Sequence, residues 1–175
     1  MGMPQPMAGW TVADLLQLPE DGKRYEVGDG QEAVQALHGR LKQFVDAHHL
    51  GRALVSPADI EFDERTLVQP DLFVAPLIEG RRPRSWKDIR SLLLAVEVLS
   101  PSTARADRQI KRLRYQRHGV GAYWIVDLDA RLVERWRPAD ERPEIVTDRL
   151  EWRPNADGPP LQIDLPQFFT EALDQ

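Results

Sequence analysis

Between Glu32 and His49 the apolar residues Val34, Leu37, Leu41, Phe44 and Val45 recur mainly in steps of three and four. That spacing describes one face of a helix, so an amphipathic helix is predicted over residues 32–49. Upstream, TVADLLQL (residues 11–18) opens with Thr11 and has Asp14 three residues on, a helix start. KRYEVGDG (residues 23–30) reads as a short strand and a turn. Beyond residue 50 the pattern changes to strand-like pieces. RALVSPADIEFD (52–63) and TLVQPDLFVAP (66–76) meet at the polar step ERT and form a hairpin-like pair. A linker rich in Arg and Pro follows. SLLLAVEVL (91–99) is apolar on both faces, as expected of a central strand covered on both sides. SPSTARADRQIKRLRYQRHG (100–119) reads as a cap, a helix and a glycine stop. VGAYWIVDL (120–128) is a further strand. RLVERWRP, EIVTDRLEW and PLQIDL read as later, more exposed strands, and PQFFTEALDQ as a closing helix. The order of elements predicts an α/β (α+β) fold, with a mixed β-sheet flanked by helices in a single domain over residues 11–175. Residues 1–10 form a loose lead-in.

Two carboxylates break this apolar pattern. Side chains alternate along a strand, so Leu93, Ala95, Glu97 and Leu99 are expected on one face and Leu92, Leu94, Val96 and Val98 on the other. Glu97 thus stands on a covered strand, where an unpaired charge costs several kcal/mol. It lies near the strand's C-terminal end, where open α/β sheets place ligands. Asp71 interrupts TLVQPDLFVAP directly after Pro70, which removes a ladder donor and suggests an edge strand or a bulge. If the two strands are neighbours, the carboxylates meet, and a divalent cation such as Mg²⁺ relieves their repulsion. On the helix that follows, Ala106, Ile110 and Leu113 are predicted to be the buried stripe. Asp107, Lys111, Arg114 and His118 form the stripe beside it. Lysine is scarce, with four residues against nineteen arginines, which singles out Lys111 as a compact charge beside the core.

Composition narrows the picture further. The chain has 175 residues, 42% of them hydrophobic, which is enough for one domain with a real core. With no cysteine it has neither a disulfide framework nor a thiolate metal site. No run approaches the length of a membrane span, and MGMPQPMAGW lacks the pattern of a signal peptide, so a cytoplasmic protein is expected. The net charge of −5 argues mildly against a nucleic-acid partner. Its distribution argues the other way: eleven basic residues oppose four acidic ones between Ala75 and His118. The four histidines lack metal-ligand spacing and read as surface or cap residues, and Trp86, Trp124, Trp136 and Trp152 read as core or rim packing.

QPDLFVA, AVEVLSPST and ADRQIKRLRYQRHGVGAYWIVD, in that order, resemble the Uma-two family of restriction endonucleases, within the PD-(D/E)XK nuclease superfamily. The resemblance runs over roughly residues 11–173 and is most specific between Glu97 and Asp127. It implies a metal-dependent endonuclease acting on DNA. Asp71 matches the PD aspartate and Glu97 the next acid. Leu99 stands where the superfamily motif has lysine, and Lys111 matches the helix lysine that takes its place. Glu26 matches an acidic position that joins the site, and Asp107 and Tyr115 also match family positions. By the same analogy Asp71, Glu97 and the Val98 carbonyl hold Mg²⁺, with Mn²⁺ able to substitute. Arg105, Arg108, Arg112 and Arg114, with the arginines of residues 81–90, contact the DNA backbone. A homodimer follows by analogy. Two departures stand out. Gln31 replaces the glutamate of the family's DGE, and GDGQEAVQALHGRL runs almost straight into the helix, without the Pro-rich, His-bearing loop of about a dozen residues.

Other readings stay open at this level. Glu97 could be a structural carboxylate paired with Arg105 or Arg108, Asp71 a turn residue, Lys111 a solvated helix lysine and Glu26 a plain strand residue. The whole chain could be a catalytically inactive nuclease fold serving as a DNA-binding or protein-interaction module, or a nuclease for RNA or branched DNA.

Overall fold

A computed structural model describes residues 29–99 and 105–174, with side chains for all of these except 105–107. The expected helix over 11–18, Glu26 and residues 23–28 of the expected strand and turn lie outside the described residues; Asp29 and Gly30, expected in that turn, instead open the first helix. The chain forms helix α1 (Asp29–Ala47), then β1 (Gly51–Val55), β2 (Ile60–Asp63), β3 (Thr66–Val68), β4 (Leu72–Pro76) and β5 (Leu94–Leu99). Helix α2 (Arg105–Arg117) leads to β6 (Ala122–Asp127), β7 (Leu132–Trp136), β8 (Glu144–Val146), β9 (Arg149–Trp152), β10 (Leu161–Asp164) and α3 (Leu165–Leu173).

Among the described residues six strands make the main sheet, in the order β1-β4-β5-β6-β7-β8. Only the β5–β6 pair is parallel, and α2 is its crossover, because parallel neighbours need a long connection. The predicted mixed sheet is therefore present, with β5 at its centre. The hairpin-like pair is real but broken in two. β1 pairs with β4 in the main sheet, while β2 and β3 leave it as a separate two-stranded hairpin. Here the expectation for Pro70 needs correction. β4 is not an edge strand but lies between β1 and β5. Pro70 sits before the strand begins at Leu72, so its missing N–H removes no ladder bond, and the register shift of the hairpin lies between Glu61 and Asp63. EIVTDRLEW likewise splits, β8 ending the main sheet and β9 pairing with β10.

The sheet separates two cores. On one face α1 buries Ala33, Leu37, Leu41 and Val45 and α3 buries Leu165, Phe168 and Phe169, all against Val74, Leu94, Val96 and Trp124. On the other, Ile60, Phe62 and Val68 of the hairpin and Tyr115 of α2 cover Phe73, Ala95, Tyr123 and Ile125. Alternation along β5 holds from Leu94 onward but fails before it: Leu92 joins the α2 side and Leu93 the α1 side. The strand starts only at Leu94, and period two applies only within it.

The face of α2 also differs from its prediction. Leu113 is 45% exposed, whereas Tyr115 is fully buried and Lys111 and His118 are half-buried. The helix therefore turns its Lys111–Tyr115–His118 stripe toward the sheet. It ends as expected: Gly119 adopts φ +68, its N–H donates to Gln116 O, and the Val120 N–H donates to Tyr115 O, a Schellman closure.

Candidate active site

The antiparallel register of β4 and β5 places Leu72 opposite Val96, which brings Asp71 beside Glu97 and Val98. Asp71 Oδ2 accepts from the Val98 N–H at 2.8 Å, and the Asp71 carbonyl accepts from Ser56 N at 2.9 Å, pinning it to the end of β1. Glu97 points to the α2 side and, at 9% exposure, is the buried charged residue among those described. Two residues one helical turn apart meet its two oxygens. Lys111 Nζ lies 2.9 Å from Oε2, and Tyr115 OH donates to Oε1 at 3.3 Å. Among the described residues the cation beside Glu97 is thus Lys111; Arg108 does not bond to it, and the side chain of Arg105 lies outside the described ones.

Both acids are held above the ordinary carboxylate range. Burial raises Asp71, against the Val98 N–H and the Lys111 charge, which lower it. Burial also raises Glu97, with the Asp71 charge adding to it and Lys111 opposing. Tyr115 and Tyr123, whose rings lie 4.6 Å apart, are buried against Glu97, and both hydroxyls are pushed well above their usual range. With Lys111 42% exposed, its ammonium marks the open side of the cluster. Among the described residues the two carboxylates share the Lys111 ammonium, and two neighbouring acids favour a further cation.

The other expected residues are scattered. Arg112 lies 4.3 Å over the Trp136 ring and donates to Gln116, so it is committed to packing. Arg108 and Arg114 are half-buried on α2. The side chain of Arg105 is not among those described. The linker of residues 81–90 joins the C-terminal end of β4 to the N-terminal end of β5, at the far end of both strands from the carboxylates. There Arg82 pairs with Asp46 of α1, and Trp86 is 46% exposed rather than packed. His118 stacks on Phe62 and lies 3.6 Å from Asp63, tying α2 to the hairpin. Sequence reasoning missed Tyr123 as a neighbour of the acids. Its signal was parallel pairing: with Glu97 opposite Ile125, Tyr123 falls on the same face one pleat away.

Among the described residues no three His, Asp or Glu side chains gather as a metal-ligand group, and no helix is long and apolar enough to cross a membrane. The oxygen donors that do gather are the two carboxylates, a set that suits a hard cation retaining part of its water shell.

The mixed sheet thus gathers an acid on a central strand, a second acid just ahead of its antiparallel neighbour and a lysine on the crossover helix. The crystal structure of a "putative nuclease belonging to DUF820" from Anabaena variabilis has the same fold, with a TM-score of 0.72. It is 19% identical, and the match covers 94% of this chain and 99% of that one. Residues 12–166 match the Uma2 family model, described as "Putative restriction endonuclease", and the chain belongs to that family. No curated protein matches the chain.

Proposed function

We propose that the chain is a Mg²⁺-dependent endonuclease that hydrolyses phosphodiester bonds of DNA, using Asp71, Glu97 and Lys111. One observation carries this reading: the half-buried Asp71, just ahead of β4, and the buried Glu97 on β5 come together beside a helix-borne ammonium, Lys111, and burial holds both acids above the usual range. A charge arrangement this costly to bury is common at functional sites. Asp71, Glu97 and the Val98 carbonyl would hold the metal, with Glu26 joining them as a further acid. When bound, the cation supplies a Lewis acid and a water of lowered pKa.

The remaining work falls to the chain itself. The Val98 N–H fixes one Asp71 oxygen, and the other would serve the metal. Tyr115 holds Glu97 from beneath, so the carboxylate keeps its direction. Lys111, on the open side, is placed to orient the attacking water or to hold a non-bridging phosphoryl oxygen as charge develops there. Arg108 and Arg114, on the same helix, would meet the flanking phosphates, with Arg105 a further contact by the same analogy. Two copies would pair to cut both strands.

An inactive binding module is the competing reading, and it is favoured by the engagement of both Glu97 oxygens by its own helix. Incubation of supercoiled plasmid with the protein and Mg²⁺ or Mn²⁺, against a chelated control, separates the two. Metal-dependent nicking or linearisation is expected. Plasmid, linear duplex, branched DNA and RNA all left intact would overturn the enzyme reading.

A further inference from the structure

The opposite face of the sheet carries a cavity that takes no part in this chemistry. Its volume is about 450 Å³, within the range of small-molecule sites. Arg135 and Arg137 line it from β7 and its end, Glu151, Trp152 and Arg153 from β9 and its end, and Leu93 from just before β5. Leu93 and Trp152 belong to the α1 and α3 side, whereas Glu97 lies fourth along β5 and faces α2. Cavity and carboxylates are thus on opposite faces and toward opposite ends of the sheet.

The lining is chemically uneven. Arg135 is 13% exposed; it donates to Glu151 O at 2.6 Å and pairs with Glu144. Its Nε–H has no partner among the described residues, and a buried donor left unsatisfied is costly. The exposed guanidinium of Arg137 makes no hydrogen bond or ion pair among the described residues. Arg153 is held by Gly158 O at 2.7 Å and, more loosely, by Glu151 at 3.3 Å. All three cations are arginines, whose fork fits phosphate oxygens in pairs. The apolar part of the lining is Leu93 and the small exposed part of Trp152, whose ring packs on Phe44 and Trp124, and the Glu151 carboxylate is an acceptor for a hydroxyl or amine.

We propose that this cavity binds a mononucleotide, with the phosphate on Arg137 and Arg135, the base against Trp152 and Leu93, and a sugar hydroxyl or base amine on Glu151. The assignment does not depend on the nuclease reading. Isothermal titration calorimetry of the full chain tests it, in a chelator so that no divalent cation draws phosphate to Asp71 and Glu97. Adenosine 5′-monophosphate should bind below about 1 mM. Inorganic phosphate and adenosine should each bind at least about tenfold more weakly, since each keeps only part of the contacts. Arg137→Ala should weaken binding about tenfold or more without changing Tm, because that guanidinium supports nothing else. Asp71→Asn should retain the nucleotide. The proposal is overturned if the nucleotide gives no heat at millimolar concentration, if phosphate alone binds as tightly, or if affinity survives both Arg137→Ala and Arg135→Met. Loss of binding in Asp71→Asn would also overturn it, by moving the nucleotide to the carboxylates.

Discussion

At the scale of single residues, the site is a contest between burial and charge. Lys111 answers most of the charge on Glu97, so Lys111→Met tests the chemistry without shortening the helix. Cleavage should fall by about 10²-fold or more, the scale of one lost donor to developing charge. Metal affinity, followed by calorimetry, should change little, because both carboxylates remain. Tyr115 is a positioning residue. Tyr115→Phe leaves Glu97 Oε1 without its buried donor and should lower stability by about 1 kcal/mol in urea. It should also reduce the metal-dependent rate while preserving metal dependence. Asp71→Asn separates function from stability. The folded-state pKa of Asp71 is raised, so its contribution is most favourable below the ordinary carboxylate range and is lost as pH rises through the raised value. Without metal, the variant should therefore be more stable than wild type at pH 7, the gap closing as pH falls. Urea midpoints of both proteins at several pH values check this, and a gap that widens toward acid would contradict it. The difference must be taken between the two proteins, because the depressed carboxylates Asp46, Asp63 and Asp174 destabilise both in acid.

At the scale of elements, the site depends on where two strands stop. Asp71 ends a connection and Glu97 nears the end of β5, so any slip of β4 against β5 would part the acids. β1 holds β4 in place from its other side, and this contact is close at Gly51, where φ is +145 and a Cβ would stand 1.9 Å from Ala75 O. A backbone oxygen cannot swing aside. Gly51→Ala should therefore cost more than about 2 kcal/mol, above the average substitution, and should lower metal affinity by displacing β4. Chemical denaturation together with metal titration checks both. The Leu113 position on α2 offers a contrast: it is 45% exposed, and its face carries no part of the site.

At the scale of the whole molecule, the acidic net charge hides a bipolar distribution. The eleven bases between Ala75 and His118 divide between α2, beside the carboxylates, and the linker at the far end of β4 and β5. The affinity of the chain for duplex DNA should fall linearly in log–log with salt, with a slope set by the phosphates neutralised. Because the linker is remote and Arg112 is packed on Trp136, neutralising Arg108 and Arg114 should flatten that slope more than neutralising Arg81 and Arg84. Fluorescence anisotropy over a salt series measures it; equal slopes for the two double variants would place DNA on another surface.

Periodicity and composition alone determined the order of elements, the central strand, the closing helix and the two acids that break apolar strands. These are local signals: side chains alternate within a strand and recur at three and four in a helix whatever the surroundings. The singular lysine at 111 was legible for the same reason, since four lysines among nineteen arginines make each one a choice. Tertiary structure decided what depends on partners far apart in the chain. Pro70 reads as an edge marker, yet β4 is internal because β1 pairs on its outer side, from Val55 opposite Leu72 to Gly51 opposite Pro76. Leu113 reads as core and lies in solvent, whereas Tyr115 is buried because the sheet, not the helix's own hydrophobicity, selects the face that must reach Glu97. The arginine-lined cavity had no signal at all, because Leu93, Arg135 and Arg153 meet only after three strands from separate parts of the chain have packed.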